Sequence, residues 1–412
     1  MLPIPGLAST RIRFHVGEIP LGALALATGF LNFWVLPLTS VGFAVTSRAA
    51  TFVGSDDLQS RNMLGVSSFV SMGLFGLLTG ALFAVLAPFA TSFLTHSTEV
   101  AGLASEYVQL SAIGLPGLFA FQTGSMFLTG IGRTSSVLAI TALNVGVNVV
   151  LEIVLVFGFH LSVAGSALGT DIAECIGAFA IGWLIRYPGA FSKLVPGVTA
   201  FVKEFLSAGI ALALRTFALV GALSGSVFVA SQSTPEILDS FQLGQQVWLV
   251  FGLSFDAIAV PSQVLVGEWL ATNRLKAMKH WTSRLLHIGW IGGIALAIVI
   301  VVARGTIVGL FTNISSVTQP ATESVLFAGL MMPITAISFV IDGLVGGLQR
   351  FSVLRTVMFI ALGATFVVAV ILLAIIGRKL TIVEIWIIFA SWLAVRALAS
   401  MVAWRKLLAT HR

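Results

Sequence analysis

Three side chains of the first half of this chain share a spacing that permits chemistry. Asn144, Asn148 and Glu152 recur at every fourth residue, which places two amides and a carboxylate on one face of a helix. Asp171 and Glu174 follow in the next apolar run. Glu152 lies seven residues before the end of its run at Phe159, and Asp171 eight residues after the start of its own at Val163. At the helical rise both sit about 10–12 Å below the same boundary, so Asn144, Asn148, Glu152 and Asp171 are expected to share one polar pocket. Carboxyl groups withdrawn from water and set beside one another hold a proton more readily than in solution. A group protonated in one state and ionised in another shifts the balance between the two, which is the chemistry of ion coupling. The plainer alternative is that the amides only tie helices together and the acids line a wet cavity. In the second half the corresponding polar set is Arg215, Asp256 and Asp342, with Gln242, Gln245, Gln246 and Gln263 nearby. Arg215 with an aspartate reads equally as a structural ion pair or as part of an ion site, and the glutamines as a cleft lining or as bridges.

The elements that must position these groups are membrane helices. Only 9% of the 412 residues are charged, 58% are hydrophobic, and the mean hydropathy is +1.04. Soluble chains carry about a quarter charged residues, so a soluble globular domain is excluded. The long, continuously apolar runs also exclude a barrel of short alternating strands. Eleven spans are expected, at Leu21–Val45, Met63–Leu94, Tyr107–Ile131, Val137–Phe159, Val163–Ile185, Phe205–Ser231, Phe241–Val266, Leu285–Val302, Val325–Leu348, Val357–Ile376 and Ile382–Val402. A charged side chain at such depth costs about 2.5–3.5 kcal/mol on insertion scales, which is why the intramembrane acids and arginines are functional candidates.

Of the 22 basic residues, 15 fall in one alternate set of connections and the C-terminal tail. That set faces the cytoplasm, placing the protein in the cell membrane with its C-terminus inside. The net charge of +6 is the mark of this loop bias, and nucleic acid is not expected as a partner. One cysteine, Cys175, rules out an internal disulfide or a cysteine metal cage. No HExxH, GxGD, DDxxD, GxSxG or P-loop is present, so neither an enzyme nor direct use of ATP is expected.

The two halves resemble each other. FLTHSTEV at Phe93–Val100 matches LFTNISSV at Leu310–Val317 with an offset of 217, and LTGIGRTSSVL at Leu128–Leu138 matches LVGGLQRFSVL at Leu344–Leu354 with an offset of 216. This predicts six-helix halves over 1–190 and 205–412, joined by a cytoplasmic linker at 191–204. It also places the counterpart of the span Phe205–Ser231 partly before Met1, so a truncated first helix is expected ahead of eleven complete spans.

GIGRTSSVLAITALNVGVNVVLEIVLVFGFHLSVAGSALGTDIAECIG at Gly130–Gly177, with LSFDAIAVPSQVLVGEWL at Leu253–Leu270 and FVIDGLVGG at Phe339–Gly347, resembles the multidrug and toxic compound extrusion (MATE) family, its DinF-like branch in particular. The resemblance implies an all-α polytopic membrane protein, a two-lobe bundle of pseudosymmetric halves that rock between inward-open and outward-open states. It implies export of amphipathic, cationic small molecules or metabolites in exchange for H⁺ or Na⁺, with no cofactor beyond that ion and the bilayer and substrate as partners of a monomer. Ser9 stands where many members carry a coupling aspartate, Thr129 where an arginine is common, and no proline follows the turn at Thr134–Ser136. A lipid-linked precursor flippase of the same superfamily and a truncated, non-transporting homologue are the alternative readings.

Overall fold

The computed structural model describes residues 18–186, 194–312, 314–377 and 379–410. The expected stub of a first helix, with Ser9, lies outside the described residues. Within them the chain is helical throughout. This follows from the apolar solvent, in which each backbone N–H and C=O must find its partner inside the segment itself.

The chain divides into two units, one running to Ala213 and the other from Leu214. The first holds α1 (Glu18–Thr39), α2 (Gly42–Gly54), α3 (Leu58–Leu94), α4 (Thr98–Gly130), α5 (Thr134–Glu152), a π-helical turn at Ile153–Gly158, and α6 (Ser162–Ile185). The boundary falls inside α7 (Leu194–Ser231), so residues 194–204 of the expected linker are helical and continue into the next span. The second unit continues with α8 (Pro235–Leu253), α9 (Asp256–Ala271), α10 (Leu275–Phe311), α11 (Ser315–Leu330), α12 (Met332–Gly347), α13 (Phe351–Ile376) and α14 (Ile382–Thr410).

Among the described residues nine helical stretches are long and apolar enough to cross a membrane, or ten when Ser316–Leu330 and Met332–Gly347, bent by 43°, count as one. The protein is thus a multi-pass membrane protein. The remaining expected span, Tyr107–Ile131, lies in α4, which carries Gly, Ser and Thr along its length and is not among them. Helix α4 is packed by α1, α2, α3 and α6, and a helix surrounded by protein needs no continuous apolar surface.

Helix ends in the two units fall 217 residues apart. Leu58–Leu94 is matched by Leu275–Phe311, Thr98–Gly130 by Ser315–Gly347, and the stretch from Glu18 to Gly54 by that from Pro235 to Ala271. All six described residues with positive φ obey the same offset: Asp56 with Asn273, Gly132 with Gln349, and His160 with Gly377. Each sits just past a helix end, where a left-handed residue lets the chain turn away. Gln349 (φ 58°) and His160 (φ 56°) adopt this conformation despite their side chains.

Close crossings repeat as well. A side-chain Cβ at Gly76 would lie 2.6 Å from the Leu115 carbonyl oxygen and 2.9 Å from Pro116 Cα; one at Gly293 would lie 3.0 Å from the Met332 carbonyl oxygen and 2.6 Å from Pro333 Cα. Gly130 meets the backbone of Thr46, and Gly347 that of Gln263. The register of these elements is therefore 217, one residue from that of the second sequence match. Gly76→Val and Gly293→Val should each destabilise the protein by about 1–3 kcal/mol or prevent assembly. Gly102→Val, where nothing lies within 4 Å, should leave the thermal unfolding midpoint in detergent nearly unchanged.

Candidate functional site

The first unit carries its polar groups on two seams of α6. Along the α5 seam Asn144 Nδ2 donates to the Ala173 carbonyl oxygen at 2.8 Å, Asn148 Nδ2 to Thr170 Oγ1 at 3.0 Å, and Ser166 Oγ to Glu152 Oε1 at 2.8 Å. The spacing of four on α5 thus meets three successive turns of α6, as the sequence pattern requires. Gly165 and Gly169 permit it: a Cβ at Gly165 would lie 3.0 Å from the Leu155 carbonyl carbon, and one at Gly169 3.3 Å from Glu152 N. Glu152 is also the last α-helical residue before the π-helical turn, which widens the helix next to the carboxylate.

Asp171 points to the other seam. Its carboxyl group occupies the space left by the missing side chain of Gly114 on α4. It is 9% exposed and lines a pocket of about 400 Å³ with Ile113, Leu168, Cys175 and Phe179. Asp171 Oδ2 and Glu174 Oε2 are buried without a hydrogen-bond partner among the described residues. The structure therefore brings Asn144, Asn148 and Glu152 together along one seam and sets Asp171 on its neighbour.

Tyr107 of α4 stands between the two. This buried phenol lies beside Ser111 and Ser166 and within electrostatic reach of both Asp171 and Glu152. Periodicity could not single it out, since a tyrosine in an apolar helix reads as core. Phe119, Phe121, Phe127 and Trp248 are all buried in the packing of their own units.

In the second unit Asp342 of α12 forms the centre. Its Oδ2 accepts from Arg215 Nη2 of α7 at 2.5 Å and from Arg396 Nη2 of α14 at 2.7 Å. Asp342 is 5% and Arg396 2% exposed. The Arg396 guanidinium also lies 5.3 Å from the ring centre of Phe339 and 5.4 Å from that of Trp392. Asp256, exposed at the start of α9, is within electrostatic reach of all three. The Arg–Asp pair expected from sequence is present, with Arg396 as a second cation whose partner the sequence does not reveal. Gln242 and Gln246 are exposed on α8 and share none of these contacts, while Gln245 donates to the Leu223 carbonyl oxygen at 3.2 Å. Among the described residues no group of three or more metal-ligating side chains is present.

A family model described as MatE matches residues 3–154 and 208–371. Protein DETOXIFICATION 44, chloroplastic, of Arabidopsis thaliana is 26% identical over 363 residues, covering 85% of this chain and 69% of that protein. DNA damage-inducible protein F of Escherichia coli is 22% identical, covering 98% of this chain and 88% of its own length. The crystal structure of the eukaryotic MATE transporter AtDTX14 superposes with a TM-score of 0.82 at 17% identity, covering 99% of this chain and 94% of that one.

Asp342→Asn would leave two buried guanidiniums without their shared carboxylate. It should cost about 3–5 kcal/mol, read as a lower unfolding midpoint of the purified protein. Glu268→Gln, on a half-exposed carboxylate of α9, should change that midpoint little.

Proposed function

The chain belongs to the MatE family, and on that premise we propose that it is a secondary active efflux transporter that exports amphipathic, cationic small molecules or metabolites by antiport with H⁺ or Na⁺. The reading has the two units as pseudosymmetric six-helix lobes that alternate in access, with the C-terminus in the cytoplasm and the monomer as the working form. The offset of 217 in helix ends, in left-handed residues and in glycine crossings supports the repeat. The coupling site is assigned to Asn144, Asn148, Glu152 and Asp171, with Tyr107 joining the two seams.

One observation carries this assignment. The first unit holds buried carboxylate oxygens, Asp171 Oδ2 and Glu174 Oε2, that no described donor satisfies. Unpaired acceptors at membrane depth are expensive and are matched by a proton or a cation. Glu152, held by a single serine hydroxyl on one oxygen, can exchange that partner as the ion binds and leaves. Among the described residues of the second unit no buried carboxylate oxygen is left without a partner, Asp342 being held by two arginines.

Reconstitution in vesicles with an imposed pH or Na⁺ gradient and a panel of cationic dyes tests this reading. Glu152→Gln and Asp171→Asn should each lower gradient-driven dye flux by about tenfold or more, the rate equivalent of about 1.4 kcal/mol. Flux in both variants equal to that of the unaltered protein would remove the coupling assignment. No gradient-driven flux in the unaltered protein would favour the non-transporting homologue.

A further inference from the structure

We propose that the first unit carries a membrane-facing site for one anionic phospholipid, whose phosphate meets Arg186 and whose acyl chain lies in the groove between α3, α4 and α6. The site is separate from the carboxylates to which ion coupling is assigned, so it stands whether or not the protein transports.

The groove is a cavity of about 490 Å³ between these three helices. Its floor is laid by Gly117, Ala120 and Ala178, and its walls are the rings of Phe69, Phe179 and Trp183. Gly182 keeps it open: a Cβ there would lie 3.2 Å from Phe69 Cζ. Phe179 and Trp183 are 74% and 57% exposed on a helix whose apolar span runs from Val163 to Ile185, so they face hydrocarbon rather than water. From Ala178 to Arg186 the groove follows α6 for about 12 Å, close to the depth of about 15 Å that one leaflet takes of the hydrocarbon core. At its inner end Phe179 divides it from the Asp171 pocket, which the same ring also lines.

Charge decides the occupant. Among the described residues that line the groove Arg186, the first beyond the span, is the one charged group, and it stands at the mouth. Its guanidinium carbon lies 3.5 Å from the ring centre of Trp183, and no described carboxylate pairs with it. The sequence offers none close by: no acidic residue falls between Glu174 and Glu204, and Glu204 is held by Arg48 at 2.9 Å. The indole fixes the plane of the guanidinium but leaves its charge without a counterion. A guanidinium fork matches phosphate oxygens, and a cation at a membrane boundary attracts anionic headgroups. Tryptophan at that level is an interfacial anchor, which sets Arg186 at headgroup height. An apolar groove running inward from a cation therefore matches a molecule that presents a phosphate at the boundary and a chain below it. Carried across the offset of 217, Trp183 and Arg186 become Ser400 and Ala403, so the second unit lacks this pair.

The test places the purified full chain in phosphatidylcholine nanodiscs with a trace of phosphatidylglycerol that carries a photoreactive group midway along one chain. A phosphatidylcholine probe with the same chain is run beside it. After illumination the labelled peptides are identified by mass spectrometry. Labelling of the peptide Ala178–Arg186 by the phosphatidylglycerol probe should exceed that by the phosphatidylcholine probe by about fivefold, equivalent to about 1 kcal/mol, and unlabelled phosphatidylglycerol should displace it. Arg186→Gln should bring the ratio of the two probes to about one, whereas Arg186→Lys, which keeps the charge, should retain most of it. Gly182→Leu, which fills the groove, should lower labelling by both probes. Because that variant can disturb the packing against Phe69, the two substitutions of Arg186, at an exposed position, carry the decision. The proposal is overturned by equal labelling by the two probes in the unaltered protein or by an unchanged ratio in Arg186→Gln. It is also overturned if inorganic phosphate displaces the phosphatidylglycerol probe, which would mark a site for free anions, or if tetraphenylphosphonium does, which would mark a site for organic cations.

Discussion

The constraint on which the structure depends is that helices in hydrocarbon gain little from hiding apolar surface against one another, since lipid is as apolar as leucine. They associate where backbones can come close. In both units that approach is made at glycines laid against a carbonyl: Gly76 on Leu115 and Gly130 on Thr46 in the first, Gly293 on Met332 and Gly347 on Gln263 in the second. The polar seams follow from these crossings. Gly165 and Gly169 bring α6 against the end of α5, where Glu152 meets Ser166, and Gly114 makes room for the Asp171 carboxyl group. Without the missing side chains, Glu152 could not meet Ser166 and the Asp171 carboxyl group could not be buried between helices.

Much of this was legible in the chain, and what was not has a physical reason. Hydropathy marks apolar runs, so the long spans were evident. It is blind to the breaks within them: the interruptions at Ser40–Val41 and Ser254–Phe255, the bend at Met331 and the π-helical turn after Glu152 all lie in sequence as apolar as its surroundings. Sequence similarity located the repeat, but in one match it slipped by a residue, because Gly346 and Gly347 are alike as letters and only the contact with Gln263 distinguishes them. Gln349 in a left-handed conformation could not have been foreseen, since glutamine is no turn residue and only its counterpart Gly132 explains it.

The sites divide in the same way. Spacing alone placed Asn144, Asn148 and Glu152 on one face, because that follows from helical geometry. It could not tell which residues of α6 they meet, nor that Asp171, on the same helix, faces α4 instead. The sequence suggested a pair of Arg215 with an aspartate but not that Arg396, 54 residues beyond Asp342, joins it, because pairing depends on how α12 and α14 are rotated. Gln242 and Gln246 were attractive only as polar letters in an apolar run; their side chains are exposed on α8.

The offset of 217 permits a last step. Carried across it, Asn144, Asn148 and Glu152 correspond to Ala361, Thr365 and Ala369, and Asp171 to Ile388. In the other direction Asp342 corresponds to Ser125 and Arg396 to Phe179. None of these charged residues has a charged counterpart, although the left-handed residues and the crossings at Gly76 and Gly130 repeat; the glycines that seat the carboxylates, Gly114, Gly165 and Gly169, correspond to Met331, Ile382 and Trp386. Scaffold and chemistry have therefore separated: the backbone contacts that let helices associate are held in common, whereas the polar groups placed on them differ in position and sign. In the first unit the unmatched buried atoms include carboxylate oxygens, and in the second, guanidinium and indole N–H groups. A duplicated fold with duplicated sites would bind the same ion twice. Here the buried carboxylate oxygens left without a described partner lie in the first unit alone, so the polar chemistry has diverged on a shared backbone.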